Sequence, residues 1–202
     1  RYFKFKFKGR KIISHVRIYN PKGKNTLLGL HGMGASASEE FDNLSKYLSP
    51  NVRLVAVDCI GFGESSRFLR KCDNYGADYC SEWYKLFLRN AQKQGILPSR
   101  FDLFSYSMTG VSVAQTYSET KDVYKRIIFL NPAGLDTRIK RSLAFWLSSG
   151  IINKLTTSIM MNNLFLDKIF RLINLKKEQV FRGFEKYAIE EIIPTSNVFM
   201  KY

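Results

Sequence analysis

A serine lies between an apolar segment and a helical pattern, in the stretch Phe-Asp-Leu-Phe-Ser-Tyr-Ser-Met-Thr-Gly at residues 101–110. The pattern places Ser107 at a turn from a buried strand into a helix. A serine at such a turn sits on a strained backbone above the sheet, with the amides of the helix start aimed at the same place. Ser105 and Thr109 supply the small residues that the tight turn requires two positions before and after it. The chemistry indicated is nucleophilic attack by a serine hydroxyl, although a helix-capping serine would give the same short pattern.

Two earlier loops also follow predicted strands. The strand at 27–30 ends in His-Gly-Met-Gly-Ala-Ser, and the strand at 52–57 ends in Asp-Cys-Ile-Gly-Phe-Gly-Glu-Ser-Ser. The sixth strand ends in Asn-Pro-Ala-Gly at 131–134. The order and spacing of these loops and of the serine turn resemble the α/β-hydrolase family, over about residues 3–135.

The resemblance implies a role for each matching residue. Ser107 corresponds to the nucleophile, and the backbone N–H groups of Met33 and Met108 correspond to the oxyanion hole. Two fixed N–H donors stabilise the charge that develops on a carbonyl oxygen during serine attack. The remaining matched positions support the two turns and comprise His31, Gly32, Ser105, Thr109 and Gly110.

Two departures from the family pattern bear on catalysis. Ser105 and Thr109 stand where the family usually has glycine, and the β-branched Thr109 is expected to crowd the turn. In addition, the triad acid and histidine follow the serine in this fold, whereas no histidine follows His31. Without an imidazole a serine hydroxyl is a poor nucleophile at neutral pH.

Neither of the two histidines is predicted to be the base. His31 is expected to support its turn, and His15 lies in the N-terminal hairpin. Asp136, after the sixth strand, is a candidate triad acid, and a solvated loop aspartate is the simpler interpretation. Two hypotheses therefore stay open: the acid and histidine lie outside this chain, which we favour, or the protein has kept the fold and lost catalysis.

The elements that must position these loops follow from hydrophobic patterning. Phe3, Phe5 and Phe7 alternate with lysines, which predicts a strand, and 11–19 predicts its antiparallel partner after a turn at Gly9 and Arg10. Apolar runs at 26–30, 52–57, 101–104 and 126–130 predict strands buried on both faces, as in a parallel sheet. Helical spacing at 38–48, 79–94 and 108–118 predicts the crossover helices. The fold class is α/β, with a mostly parallel central sheet preceded by an antiparallel hairpin.

The alternation of strands and helices stops after residue 136. We expect an α/β-hydrolase core at 1–136 and a helical lid at 137–202. Apolar residues of that segment, including Phe145 and Trp146, would roof a pocket for an ester or amide with an apolar part, although ordinary helix packing explains them too. Basic residues beside them, including Arg138 and Arg141, would also suit contact with an anionic membrane.

Charge and cysteine content bear on partners and location. The chain carries 32 Lys and Arg against 17 Asp and Glu, a net charge of +15, and has no acidic residue before Glu39. Such an excess attracts polyanions or acidic protein partners, although lysines also keep an edge strand soluble. Nucleic-acid binding is least favoured, because the hairpin phenylalanines should pack the sheet. Cys59, Cys72 and Cys80 form no metal-ligand pattern, so we expect no metal or cofactor and a reducing compartment, mitochondrial or cytoplasmic.

The function predicted is a serine hydrolase that acts on a carboxylic ester or amide through an acyl-enzyme on Ser107. The alternative is an inactive hydrolase-like subunit of a larger, mitochondrial assembly.

Overall fold

Six strands and three α-helices form the part of the chain that the computed structural model describes, residues 1–67 and 76–133. The strands form one sheet in the order β1-β2-β4-β3-β5-β6. In chain order the elements are β1 (Tyr2–Phe7), β2 (Arg10–Tyr19), β3 (Asn25–Leu30), α1 (Ala37–Leu44), β4 (Val52–Val57), α2 (Ala77–Lys93), β5 (Phe101–Tyr106), α3 (Thr109–Thr120) and β6 (Tyr124–Leu130). Strands β3 to β6 run parallel to one another, and β2 runs antiparallel to both of its neighbours, β1 and β4. The predicted α/β sheet with its N-terminal hairpin is confirmed.

The hairpin turn lies one residue earlier than predicted. Phe7 pairs with Arg10, so the turn consists of Lys8 and Gly9 and not of Gly9 and Arg10. Both turn residues have positive φ, 45° and 73°. Two-residue hairpins favour this mirror-image turn because its twist matches that of the strands.

The helix boundaries shift by one to four residues from the predicted ones. Helix α1 ends at Leu44, and the predicted last turn is instead a short 3₁₀ helix, Ser45–Tyr47. Helix α2 spans Ala77–Lys93 against the predicted 79–94, and α3 spans Thr109–Thr120 against 108–118. Helix termini fray and tighten, so hydrophobic spacing fixes the existence of a helix better than its ends.

Helices cover both faces of the sheet. Phe41 of α1 packs on Leu54 and Ala56 on one face. On the other face α2 and α3 pack on the sheet, and the hairpin phenylalanines join the same core through contacts such as Phe3 with Phe87, whose ring centroids are 5.6 Å apart. Burial on both faces explains why β3, β4 and β5 are nearly all apolar.

Strand β6 departs from the expected burial. Ile128, Phe129 and Leu130 are 49%, 42% and 45% exposed, so the prediction of a strand buried on both faces was wrong for 126–130. In the described residues β6 is the last strand of the sheet and has a hydrogen-bonded neighbour, β5, on one side only. An apolar run therefore identifies a strand without fixing its place in the sheet.

The topology places the candidate loops at one edge of the sheet, the one formed by the carboxyl ends of the parallel strands. Parallel strands β3, β4 and β5 end together, and their carboxyl ends lead into the loops at 31–36 and 58–66 and into Ser107. Val16 of β2 pairs with Val57 at the end of β4, so the start of β2 projects past this same edge. Within residues 1–67 and 76–133, no helix is long and apolar enough to cross a membrane.

Candidate active site

Ser107 occupies a sharp turn between β5 and α3. Its φ of +54° is left-handed, a conformation that costs a non-glycine residue free energy and that persists only when the surroundings hold it. Three backbone hydrogen bonds do so. The Ser107 N–H donates to Leu130 O at 3.0 Å, and its carbonyl accepts from Gly110 N at 3.1 Å and Ala133 N at 2.9 Å. The end of β6 and the loop after it therefore lock the turn in place.

The small residues around the turn are in direct contact. The hydroxyls of Ser105 and Thr109 lie 2.9 Å apart, and Thr109 Oγ1 also donates to Tyr106 O at 3.0 Å. Thr109 thus stabilises the turn from inside, although it stands where the family usually has glycine. A Cβ on Gly110 would lie 2.6 Å from Pro132 Cβ, so this position accepts no larger residue without movement of the neighbouring loop.

The Ser107 side chain is half-buried. Among the residues that the structure describes, its hydroxyl has no hydrogen-bond partner. Neither histidine of the chain is its base, because each is bonded elsewhere. The serine is thus presented at the edge of the sheet without an activating group from the described residues.

The turn after β3 lies against the serine. A Cβ on Gly32 would sit 2.9 Å from Tyr106 Cδ1 and 3.3 Å from Ser107 Cβ, so this position favours glycine and the turn that leads to Met33 packs against the serine turn. Within 1–67 and 76–133, the N–H groups of Met33 and Met108 donate to no acceptor. Two unpaired amides that flank a serine are the donors an oxyanion hole needs.

His31 uses both ring nitrogens to hold the two upstream loops together. Its Nδ1–H donates to Gly32 O at 2.7 Å, and its Nε2 accepts from Cys59 N at 3.0 Å. These bonds fit the neutral ring, and complete burial lowers the pKa of His31 below its usual 6.5. The ring therefore connects the loop after β3 to the loop after β4.

The lowered pKa of His31 predicts acid sensitivity. In the unfolded chain the residue titrates near 6.5, so below that pH the unfolded state binds more protons than the folded state. The stability that neutral His31 contributes is present above pH 6.5 and is lost as the pH falls through the folded pKa. We expect the His31 ring signal, assigned by its loss in His31→Asn, to titrate in NMR with a midpoint below pH 6.5. A midpoint at or above 6.5 would contradict this.

Sequence reasoning missed a buried pair beside the loop after β4. Asp58 Oδ2 lies 2.7 Å from His15 Nδ1 and accepts from Glu64 N at 2.8 Å, while Oδ1 accepts from Ala37 N at 2.6 Å. A Cβ on Gly63 would lie 2.1 Å from the Asp58 carboxyl carbon. The Asp-x-x-Gly-x-Gly spacing signalled the aspartate and its glycine, but nothing local pointed to His15, 43 residues earlier.

Below the serine turn lies a cavity of about 10 Å³, lined by Met108, Trp83, Cys59 and Cys80 among others. Its size suits about one water molecule and no acyl chain. Burial raises the pKa of both thiols, that of Cys80 to about 12. The cavity under the turn is therefore too small for a substrate.

Known structures match this arrangement. A probable hydrolytic enzyme from Pseudomonas aeruginosa superposes with a TM-score of 0.64 at 18% identity, over 100% of this chain and 65% of its own. The chain has the α/β-hydrolase fold. An esterase from Thermogutta terrifontis (TM-score 0.61, 15% identity, 99% of this chain and 72% of its own) and a haloalkane dehalogenase from Agrobacterium tumefaciens (0.60, 17%, 100% and 65%) share it.

The two comparisons by sequence found nothing: no family model and no curated protein matches. The chain spans about 65% of the length of the first solved structures it matches. Asp136 and the predicted lid at 137–202 lie outside the described residues, so the candidate acid and the division into core and lid stay predictions.

Proposed function

We propose that this chain is part of a serine hydrolase that cleaves a carboxylic ester or amide through an acyl-enzyme on Ser107. The observation that carries the proposal is the left-handed Ser107 at the β5–α3 turn, beside unpaired Met33 and Met108 amides. A strained serine next to two free N–H donors is the arrangement that acyl transfer needs.

The proposed reaction has two halves. Ser107 Oγ attacks the carbonyl carbon, its proton passes to a histidine from outside this chain, and the Met33 and Met108 amides hold the oxyanion. Collapse expels the alcohol or amine, which takes that proton, and leaves the ester of Ser107. Water then attacks this ester with the same base and releases the acid.

The preference for an apolar substrate rests on residue types. The segment 137–202 is rich in large apolar residues, which would line a pocket if it folds as a lid. Asp136 is the candidate acid within the chain. The second candidate function, a hydrolase-like subunit without activity, is favoured by the absence of a histidine after His31.

A fluorophosphonate probe tests the proposal, because it reacts only with an activated serine. In protein expressed from its complete gene, we expect covalent labelling that Ser107→Ala abolishes. Ser99→Ala is the matched control, since Ser99 is exposed and contributes only its backbone carbonyl to a hydrogen bond. This variant should label like the wild type. Folded protein that stays unlabelled would reject the hydrolase and favour the inactive subunit, and labelling of Ser107→Ala would place the nucleophile elsewhere.

A further inference from the structure

The outward face of the N-terminal hairpin carries cations without acidic partners. Lys4 and Lys6 of β1 and Lys11 of β2 share this face and are exposed, whereas the phenylalanines between the β1 lysines are buried. Among the described residues none of the three lysines forms a salt bridge. We call Lys4, Lys6, Lys11 and Ile13 the basic face.

Solubility of an edge strand accounts for Lys4 and Lys6 but not for Lys11. Charges that protect an edge need to lie on β1, the outer strand, but Lys11 lies on β2 and directly opposite Lys6. Like charges opposite each other across two strands destabilise the pair. Among the described residues, acidic side chains lie at the two ends of the face: Glu82 pairs with Lys8 at the hairpin tip, and Glu64 accepts from the Tyr2 hydroxyl at the other end.

The basic face mixes cations with apolar surface. Ile13 pairs with Lys4 across the strands and is 37% exposed, and Tyr2, two residues before Lys4 on the same side of β1, is 57% exposed. Lysines beside a half-exposed aliphatic residue and a tyrosine suit a lipid headgroup layer, where the ammonium groups meet phosphates and the apolar parts meet the acyl boundary. Stacking of successive nucleic-acid bases needs several exposed aromatic rings, and β1 offers only Tyr2, because its three phenylalanines are in the core.

The hairpin is held against the body of the protein. Six residues of β2 precede Val16, the partner of Val57 at the end of β4. Phe3 contacts Phe87 of α2, and the carbonyl of Lys4 accepts from Gln94 Nε2 just after the end of α2. The loop after β4 binds β2 as well, because Ser66 N donates to Ile13 O at 2.9 Å and Ile13 N donates to Ser66 Oγ at 2.8 Å. The basic face is therefore fixed in place by α2 and by the loop after β4.

We propose that the basic face docks on an anionic lipid bilayer. This interaction goes beyond the proposed hydrolase and is independent of it, since binding needs the hairpin lysines and not Ser107. It is electrostatic in origin and is therefore screened by salt.

Vesicle binding tests the proposal with protein from the complete gene. We expect binding to phosphatidylcholine vesicles that contain about 30% phosphatidylserine, and weak binding to pure phosphatidylcholine. Combined Lys4→Gln, Lys6→Gln and Lys11→Gln should weaken partitioning roughly a hundredfold, because each lysine near such a surface contributes about fivefold. Unchanged thermal melting would show that the triple variant folds.

The matched control removes the same charge close to the amino ends of β3 and β6, through Lys22→Gln, Lys24→Gln and Lys121→Gln. All three residues are exposed. It should change partitioning less than about threefold. Equal losses in the two triple variants would attribute binding to net charge and overturn the proposal. Failure of the wild-type protein to bind anionic vesicles would overturn it as well. Tighter binding to single-stranded RNA than to vesicles, lost in the hairpin variant, would overturn it in favour of nucleic acid.

Discussion

Asp58→Ala is expected to destabilise the protein by about 3–5 kcal/mol, because it removes the acceptor of buried hydrogen bonds and each buried donor left unpaired costs about 1–3 kcal/mol. The Asp58 side chain is 3% exposed and accepts hydrogen bonds from three groups: the His15 ring and the amides of Ala37 and Glu64. Its removal leaves the His15 ring and the Ala37 amide without this acceptor in the interior, where each unpaired donor is costly, and also frees the Glu64 amide at the surface. Urea unfolding of protein from the complete gene, followed by circular dichroism, measures the loss.

Asp42→Ala is the matched control for this change. Asp42 also accepts from a side chain on β2, the Tyr19 hydroxyl, and lies 3.6 Å from Arg17 Nε, but its side chain is 49% exposed. Exposed pairs contribute about 0–1 kcal/mol, so its loss should be small. Similar small losses for both variants would mean that water satisfies the groups around Asp58 and that the loop after β4 does not depend on it.

The sequence predicts the sheet well because the periodicity of apolar residues reports burial directly. Runs such as Val52–Val57 have side chains buried on both faces, and helical spacing in Ala77–Lys93 reflects one buried stripe. Strand β6 shows the limit of this logic. Its apolar residues identified the strand, but burial depends on neighbours that a local pattern does not contain.

The candidate site was predictable where local backbone chemistry dictates residue type. Ser107 and Gly110 belong to one turn, so a ten-residue window reveals them. The pairing of His15 with Asp58 is different, because it joins strands that are distant in the chain, and a histidine in a hairpin has no local signature for a buried partner. The hydrogen bond between the Ser105 and Thr109 hydroxyls likewise depends on side-chain geometry, which a sequence pattern does not reveal.

Gly32→Ala is expected to lower kcat for ester hydrolysis by about 10²–10³-fold, the usual effect of losing one oxyanion donor, with KM changed less than about threefold. The new methyl group would meet the Tyr106 ring at 2.9 Å and Ser107 Cβ at 3.3 Å. Relief of these contacts must move the turn that carries the Met33 amide. Substrate binding in the ground state does not depend on the Met33 amide, whereas stabilisation of the oxyanion does. The loss should therefore appear in kcat and not in KM.

Hydrolysis of a p-nitrophenyl ester by protein from the complete gene measures the effect of Gly32→Ala, with fluorophosphonate titration to count competent sites. Met33→Leu is the matched control, since it alters the same turn but keeps the N–H and a side chain of similar volume. Its kcat should stay within about threefold of the wild type. If Gly32→Ala turned over normally, the Met33 amide would not be an oxyanion donor, and stabilisation of the transition state would have to come from Met108 and groups outside this turn.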